Sequence, residues 1–286
     1  MTKLTEEQRL KICKEYEQGF SAIKLEKKYN INSSSIYDMM HHRGFKSRSR
    51  SKANRKYHIN EHYFDKIDNQ NKAYLLGLLF ADGCNTNKNY TICIELKESD
   101  KKILEKFNEE INSNKPLEFR NLNSKNSMWS NTYKLYISNK HMYKVLTNHG
   151  IVPRKTFIKK FPDWIDDNLK PHFVRGYFDG NGHISKNYKE PVIDITSNEN
   201  FLKDIKNYIK KNTELNSHFR KVGKKTYRVF FRGGNVVRRL IKFIYKDANL
   251  FIERKKERAD IIANYRHKPN VHWVNIKRDD KGRFVN

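Results

Sequence analysis

The chain has 286 residues, with 59 Lys and Arg against 32 Asp and Glu, a formal net charge of +27. An excess of that size speaks for a polyanionic partner, a nucleic acid or an anionic membrane surface. The 17 Phe and 16 Tyr exclude a disordered basic tail, because such chains lack the side chains to fill a core. No apolar run is long enough to span a bilayer or to form a secretory signal. The three cysteines, Cys13, Cys84 and Cys93, lack metal-ligand spacing and read as reduced thiols in an intracellular, non-secreted protein.

At this length two or three domains are expected. Thr5-Glu6-Glu7-Gln8 has the form of a capping box ahead of Leu10, Cys13 and Tyr16. Gly19 stops that helix. Ser21 caps a second, carrying Ala22, Ile23, Leu25 and Tyr29, and Asn32 or Ser33 caps a third, with Ile36, Met39 and Met40 inward. Three short helices with tight turns over residues 1–46 resemble a helix-turn-helix domain. That resemblance implies a third helix in the major groove, presenting Ser34, Ser35, Tyr37, Asp38, His41 and His42 to bases or phosphates. From Arg43 through Lys46, Arg48, Arg50, Lys52 and Arg55 to Lys56 the chain is dense in base and free of acid. Residues 47–60 read as a basic linker placed to track a phosphate backbone.

Beyond it, two segments share a pattern: Tyr74-Leu75-Leu76-Gly77-Leu78-Leu79-Phe80-Ala81-Asp82-Gly83, and Phe173-Val174-Arg175-Gly176-Tyr177-Phe178-Asp179-Gly180-Asn181-Gly182. Each is predicted helical and is followed by one order of elements. A helix is expected over 62–68, the first motif helix over 72–81, and strands at 90–96 and 133–138. Ser99-Asp100 is expected to cap a helix between those strands, and another helix covers 140–149. The second half repeats this with a motif helix at 172–178, strands at 192–196 and 227–232, a helix capped by Asn198, and a helix over 236–245. Gly77 and Gly176 would let the two motif helices approach closely at a pseudo-twofold axis. Asp82, at the end of an apolar run, must be desolvated at a cost unless it is paired or binds a cation. Brought together, Asp82 and Asn181 would form a small oxygen-rich site suited to a hard dication.

Residues 75–83 and 174–182 resemble the two signature segments of the LAGLIDADG homing endonucleases in their single-chain, two-motif form. Gly150-Ile151-Val152-Pro153-Arg154-Lys155, Tyr245-Lys246-Asp247-Ala248 and Phe251-Ile252-Glu253-Arg254-Lys255 are similar to that family too. The resemblance implies an α/β (α+β) fold of two αββαββα halves, residues 61–165 and 166–268, forming a DNA-binding saddle, with a basic tail over 269–286. It implies a monomer that hydrolyses both strands of a long asymmetric double-stranded DNA site with Mg²⁺ or Mn²⁺. The metal ligands would be Asp82, Asn181 and the carbonyls of Ala81 and Gly180, with Lys155 and Lys255 stabilising charge. Lys134, Arg228 and Arg232 would contact DNA from the sheets. The family expects an acid where this chain has Asn181, an amide that brings no charge. Three readings follow: a strand-nicking enzyme, an inactive sequence-specific binder or transcription regulator, and an Asn-Gly position open to deamidation. An RNA-splicing maturase would use the same basic surface.

Overall fold

The structure is a computed structural model that describes residues 4–46 and 57–265, together with the backbone of two short strands near the C-terminus. It divides into two compact units, Met1–His58 and Ile59–Asn286. Arg48, Arg50, Lys52, Arg55 and Lys56 lie outside the described residues. So does most of the tail, apart from a two-stranded ladder that pairs Lys277–Arg278 with Phe284–Val285.

In the first unit, α1 (Glu6–Glu17) opens on a complete capping box. Thr5 Oγ1 accepts from the Gln8 amide, and Gln8 Oε1 accepts from the Thr5 amide. Ser21 caps α2 (Ala22–Tyr29), and Asn32 caps α3 (Ser33–His42) by accepting from the Ser34 amide at 3.0 Å. The core is Ile12, Cys13, Tyr16, Ala22, Leu25, Ile36 and Met40. Two expected core residues, Leu10 and Ile23, are exposed instead. Cys13 and Tyr16 are buried as the spacing predicts, and Ile12 joins them in place of Leu10.

The second unit is built on α4 (Gln70–Asp82) and α7 (Lys170–Asn181). Every residue of α4 from Ala73 to Phe80 is buried, as expected of a helix that is apolar on all sides. Gly77 and Gly176 mark the crossing. A Cβ on Gly77 would lie 2.1 Å from the Phe173 carbonyl oxygen, and one on Gly176 would lie 1.9 Å from that of Tyr74. The contact is reciprocal, so the helices meet backbone to backbone about a pseudo-twofold relation.

Each motif helix runs directly into an antiparallel four-stranded sheet. The first comprises β1 (Gly83–Thr86), β2 (Thr91–Lys97), β3 (Glu118–Arg120) and β4 (Thr132–Ser138), in spatial order β1-β2-β4-β3. The second comprises β5 (Gly182–Ile184), β6 (Val192–Ser197), β7 (His218–Lys221) and β8 (Tyr227–Arg232), in order β5-β6-β8-β7. The registers correspond: Gly83 faces Ile94 in one sheet, and Gly182 faces Ile195 in the other. Helices α5 (Lys101–Glu110) and α6 (Lys140–Asn148) cover the first sheet, and α8 (Glu199–Thr213) and α9 (Gly234–Ile244) the second. The closing helix α10 (Glu253–Asn264) follows.

Two local expectations fail. Residues 62–68 form a turn rather than a helix, because Asn60 Oδ1 takes the His62 amide and closes an Asx turn. Asp100 does not cap α5. Its buried carboxylate is gripped by Arg254 of the closing helix, with Nε to Oδ1 and Nη2 to Oδ2 both at 2.8 Å. By contrast, Asn198 caps α8 as expected, accepting from the Phe201 amide at 3.0 Å.

Candidate metal centre and nucleic-acid surface

The last turns of α4 and α7 lie side by side. A Cβ built on Gly180 would fall 2.3 Å from Ala81 Cβ and 2.6 Å from Asp82 Oδ2. The missing side chain at 180 is therefore what lets the Asp82 carboxylate reach the seam. That carboxylate accepts no hydrogen bond and enters no ion pair among the described residues. Burial raises its pKa, against the pull of the nearby Lys255, Lys155 and Lys159 ammonium groups.

Asn181 sits one position from the end of the other helix motif. Its Nδ2 donates to the Tyr177 hydroxyl at 3.0 Å, and that hydroxyl is within 2.9 Å of Ser197 Oγ. With the amide nitrogen engaged there, Oδ1 is the end without a donor among the described residues.

Three buried lysines surround these helix ends. Lys155 Nζ donates to the Gly83 carbonyl, and Lys159 Nζ reaches the Phe80 carbonyl at 3.4 Å. Lys255 Nζ donates to the carbonyls of Phe178, Asp179 and Gly182 at 2.6, 2.7 and 2.6 Å. Cations at helix C-termini satisfy carbonyls that have no intrahelical partner. Desolvation lowers all three: Lys155 below its ordinary value, Lys159 to about 7, helped by the Lys155 charge, and Lys255 to about 8. The lysines take carbonyls on either side of Ala81 and Gly180, and no described side chain donates to those two. One free carboxylate, one amide oxygen and two carbonyls free of side-chain donors form a donor set that fits a hard, oxygen-seeking dication.

Sequence reasoning singled out Lys155 and Lys255 but missed Lys159. Its only signal is the four-residue step from Lys155. Asp179, two positions before Asn181, is committed elsewhere: its Oδ2 accepts from the Tyr74 hydroxyl at 2.7 Å and from the Ile252 amide at 2.8 Å.

The open faces of the sheets carry mixed charge. Arg232 is exposed and lies over the Phe230 ring. Lys134 is half-buried opposite Glu95. Arg228, expected to be available to DNA, forms an ion pair with Asp194 at 3.5 Å. In the first unit Ser34, Ser35, His42 and Lys46 are not buried, and Tyr37 is 42% exposed. His41 is exposed as well, whereas Arg43 Nε is held by Glu6 at 3.0 Å. Cys84 and Cys93 face each other across β1 and β2 as free thiols. Among the described residues no helix is long and apolar enough to cross a membrane.

Residues 169–245 match the family model described as LAGLIDADG-like domain. The matched span begins at the foot of α7 and ends just past α9. No curated protein matches the sequence. Among solved structures the chain is similar to the I-LtrWI LAGLIDADG homing endonuclease bound to target DNA, at 14% identity over 71% of this chain and 90% of that one, TM-score 0.44. It is also similar to the LAGLIDADG homing endonuclease I-GzeII in complex with DNA target, at 12% identity, covering 68% and 90%, TM-score 0.45. Full-length DUF199/WhiA from Thermatoga maritima is matched at 15% identity, covering 76% and 69%, TM-score 0.47.

Proposed function

We propose that the protein is a site-specific double-stranded DNA endonuclease with unequal half-sites, which cuts one strand and leaves the other intact or cuts it slowly. The observation that carries this reading is the unpaired Asp82 carboxylate at the seam beside Gly180, with only an amide at Asn181 in the equivalent place. Asp82, Asn181 and the carbonyls of Ala81 and Gly180 would hold Mg²⁺ or Mn²⁺. When bound, such an ion lowers the pKa of water and neutralises phosphate charge. Lys155 and Lys255 would face the negative charge that develops on the scissile phosphate. Lys159, at about 7, has a pKa suited to moving a proton near neutral pH. The charge of +27 would draw the duplex to the open sheet faces, where Lys134, Arg232 and, on exchanging Asp194 for phosphate, Arg228 would make contacts. In this reading the three N-terminal helices add a second DNA contact through Ser34, Ser35, Tyr37, His41 and His42, and the chain acts as a monomer on a long asymmetric site.

Selection of bound fragments from a random duplex pool would supply a target, to be placed on a supercoiled plasmid with Mg²⁺. Open circles that accumulate without linear product, and vanish for Asp82→Ala, are the expected result. Cleavage that survives Asp82→Ala would overturn the site. A second reading, a sequence-specific binder without cleavage, draws support from the same Asn181. It predicts a long footprint and no product at any metal concentration.

A further inference from the structure

Away from the seam, three ligand-type side chains converge from two parts of the first half. His62 Nδ1 is 2.7 Å from Asp65 Oδ2, and His141 Nε2 is 2.6 Å from Asp65 Oδ1. One ligand atom from each of the three lies within 4.8 Å of the others. The imidazole centroids are 4.4 Å apart. His62 and Asp65 belong to the turn that replaces the expected 62–68 helix, and His141 lies in the first turn of α6.

Both arms are fixed by hydrogen bonds beneath them. Asn60 Oδ1 takes the His62 amide at 3.1 Å, which sets the turn. Asn139 Oδ1 caps the helix bearing His141, accepting from Met142 at 2.8 Å, and its Nδ2 donates to Glu61 Oε2 at 2.9 Å. The other oxygen of Glu61 lies 4.0 Å from His62 Nε2, the ring nitrogen that faces away from Asp65. At that distance no hydrogen bond joins them; a closer approach would give the supporting arrangement usual at metal sites, in which a ligating histidine donates its distal N–H to a carboxylate.

We propose that His62, Asp65 and His141 bind a borderline transition-metal dication, of which Zn²⁺ is the type. Two imidazole nitrogens and one carboxylate oxygen suit that class and select against Mg²⁺ and Ca²⁺, which prefer all-oxygen shells. Ligand atoms on a tetrahedral zinc with bonds of ~2.0–2.1 Å stand roughly 3.3 Å apart. The two His–Asp contacts, at 2.7 and 2.6 Å, need to open by roughly 0.6–0.7 Å, and the ligand atoms, now within 4.8 Å of one another, need to draw round the ion. The three protein ligands leave a fourth position for water. The ion would clip the turn before the first motif helix to α6, and so stiffen the first half without touching Asp82.

The test uses the full chain, stripped with chelator and titrated with Zn²⁺ against a chromogenic competitor in excess Mg²⁺. One Zn²⁺ per chain is expected, together with a rise in Tm on adding Zn²⁺. His141→Ala and Asp65→Asn should each weaken binding at least ten-fold and abolish the Tm rise, while Asp82→Asn leaves Zn²⁺ affinity unchanged. Circular dichroism without metal establishes that each variant folds, and His62→Gln replaces any that does not. No stoichiometric binding, binding indifferent to these substitutions, or binding lost in Cys84→Ser would each overturn the proposal.

Discussion

The Tyr74 hydroxyl donates to Asp179 Oδ2 at 2.7 Å, joining the two motif helices through a wholly buried polar contact. Asp179 replaces what is Phe80 in the first half, so the pseudo-symmetry is broken at this point. Its Oδ2 also takes the Ile252 amide, and its Oδ1 lies 3.3 Å from the Tyr245 hydroxyl. Arg175, also buried, stacks over Tyr74 and donates to the Leu250 and Ile244 carbonyls. Asp179→Ala should strand two hydroxyls and an amide and leave the guanidinium without its nearby carboxylate. A loss of about 3–5 kcal/mol is expected, read as a fall in Tm. Asp179→Asn keeps an acceptor and should cost less than half as much. If the two variants melt alike, the carboxylate is not what holds the helices.

The three seam glycines should separate by consequence. Gly77→Ala and Gly176→Ala drive a Cβ into a facing main-chain carbonyl. The helices must part, and loss of the folded second unit is expected by circular dichroism. Gly180→Ala meets Ala81 Cβ and the Asp82 carboxylate instead, side-chain atoms rather than a main-chain carbonyl. This variant should fold with a reduced Tm and lose more than about 10²-fold in cleavage rate, since small misplacements of reacting groups carry costs of that order. Gly180→Ala with full activity would disconnect Asp82 from the chemistry.

The duplicated motifs made the helix pair and its glycines legible, because a glycine inside an apolar helix has few other reasons to stand there. Asp82 was legible as an acid at the end of a buried run. Lys159 was not, since a lysine in a basic chain carries no signal until burial singles it out. The four short strands β1, β3, β5 and β7, of 4, 3, 3 and 4 residues, are too brief for an alternating pattern to register. The Asp100–Arg254 pair joins residues 154 apart in sequence, a distance at which local capping rules mislead: Ser99-Asp100 has the form of a cap, but tertiary pairing takes the carboxylate.

His172 gives the fold a pH dependence at the foot of α7. Its Nδ1 lies 2.7 Å from Arg175 Nη1, which must donate, so the ring is held neutral. Burial and then the Arg175 charge lower its pKa from 6.5 to about 4. Between those values the unfolded chain binds the proton and the folded chain does not, so stability rises with pH across the interval. The contribution is complete above about 6.5 and is lost as pH falls towards 4. A loss on the order of 2 kcal/mol is expected over that range. Denaturant titrations at pH 7 and pH 4.5 should show a steeper loss for the natural chain than for His172→Gln, whose amide oxygen accepts from Arg175 at both. Equal losses would place the acid sensitivity elsewhere.

Asn181→Asp is the substitution that decides what the second half can do. The Asn181 amide now donates to the Tyr177 hydroxyl, which lies within reach of Ser197 Oγ and the Thr196 carbonyl. A hydroxyl can rotate, so with a carboxylate at 181 the Tyr177 proton would turn to it, and Ser197 would supply the donor that Tyr177 then lacks. The change is therefore expected to alter stability by less than about 1 kcal/mol, read as a small shift in Tm. It adds a negative charge beside Asp82 in a site ringed by Lys155, Lys159 and Lys255, and hard-cation affinity grows with ligand charge. Isothermal titration with Mn²⁺ should show tighter binding, and the plasmid assay should pass from open circles to linear product. Tighter Mn²⁺ binding without linear product would mean that the second strand is out of reach for reasons of DNA geometry. Unchanged Mn²⁺ binding would remove residue 181 from the metal site altogether.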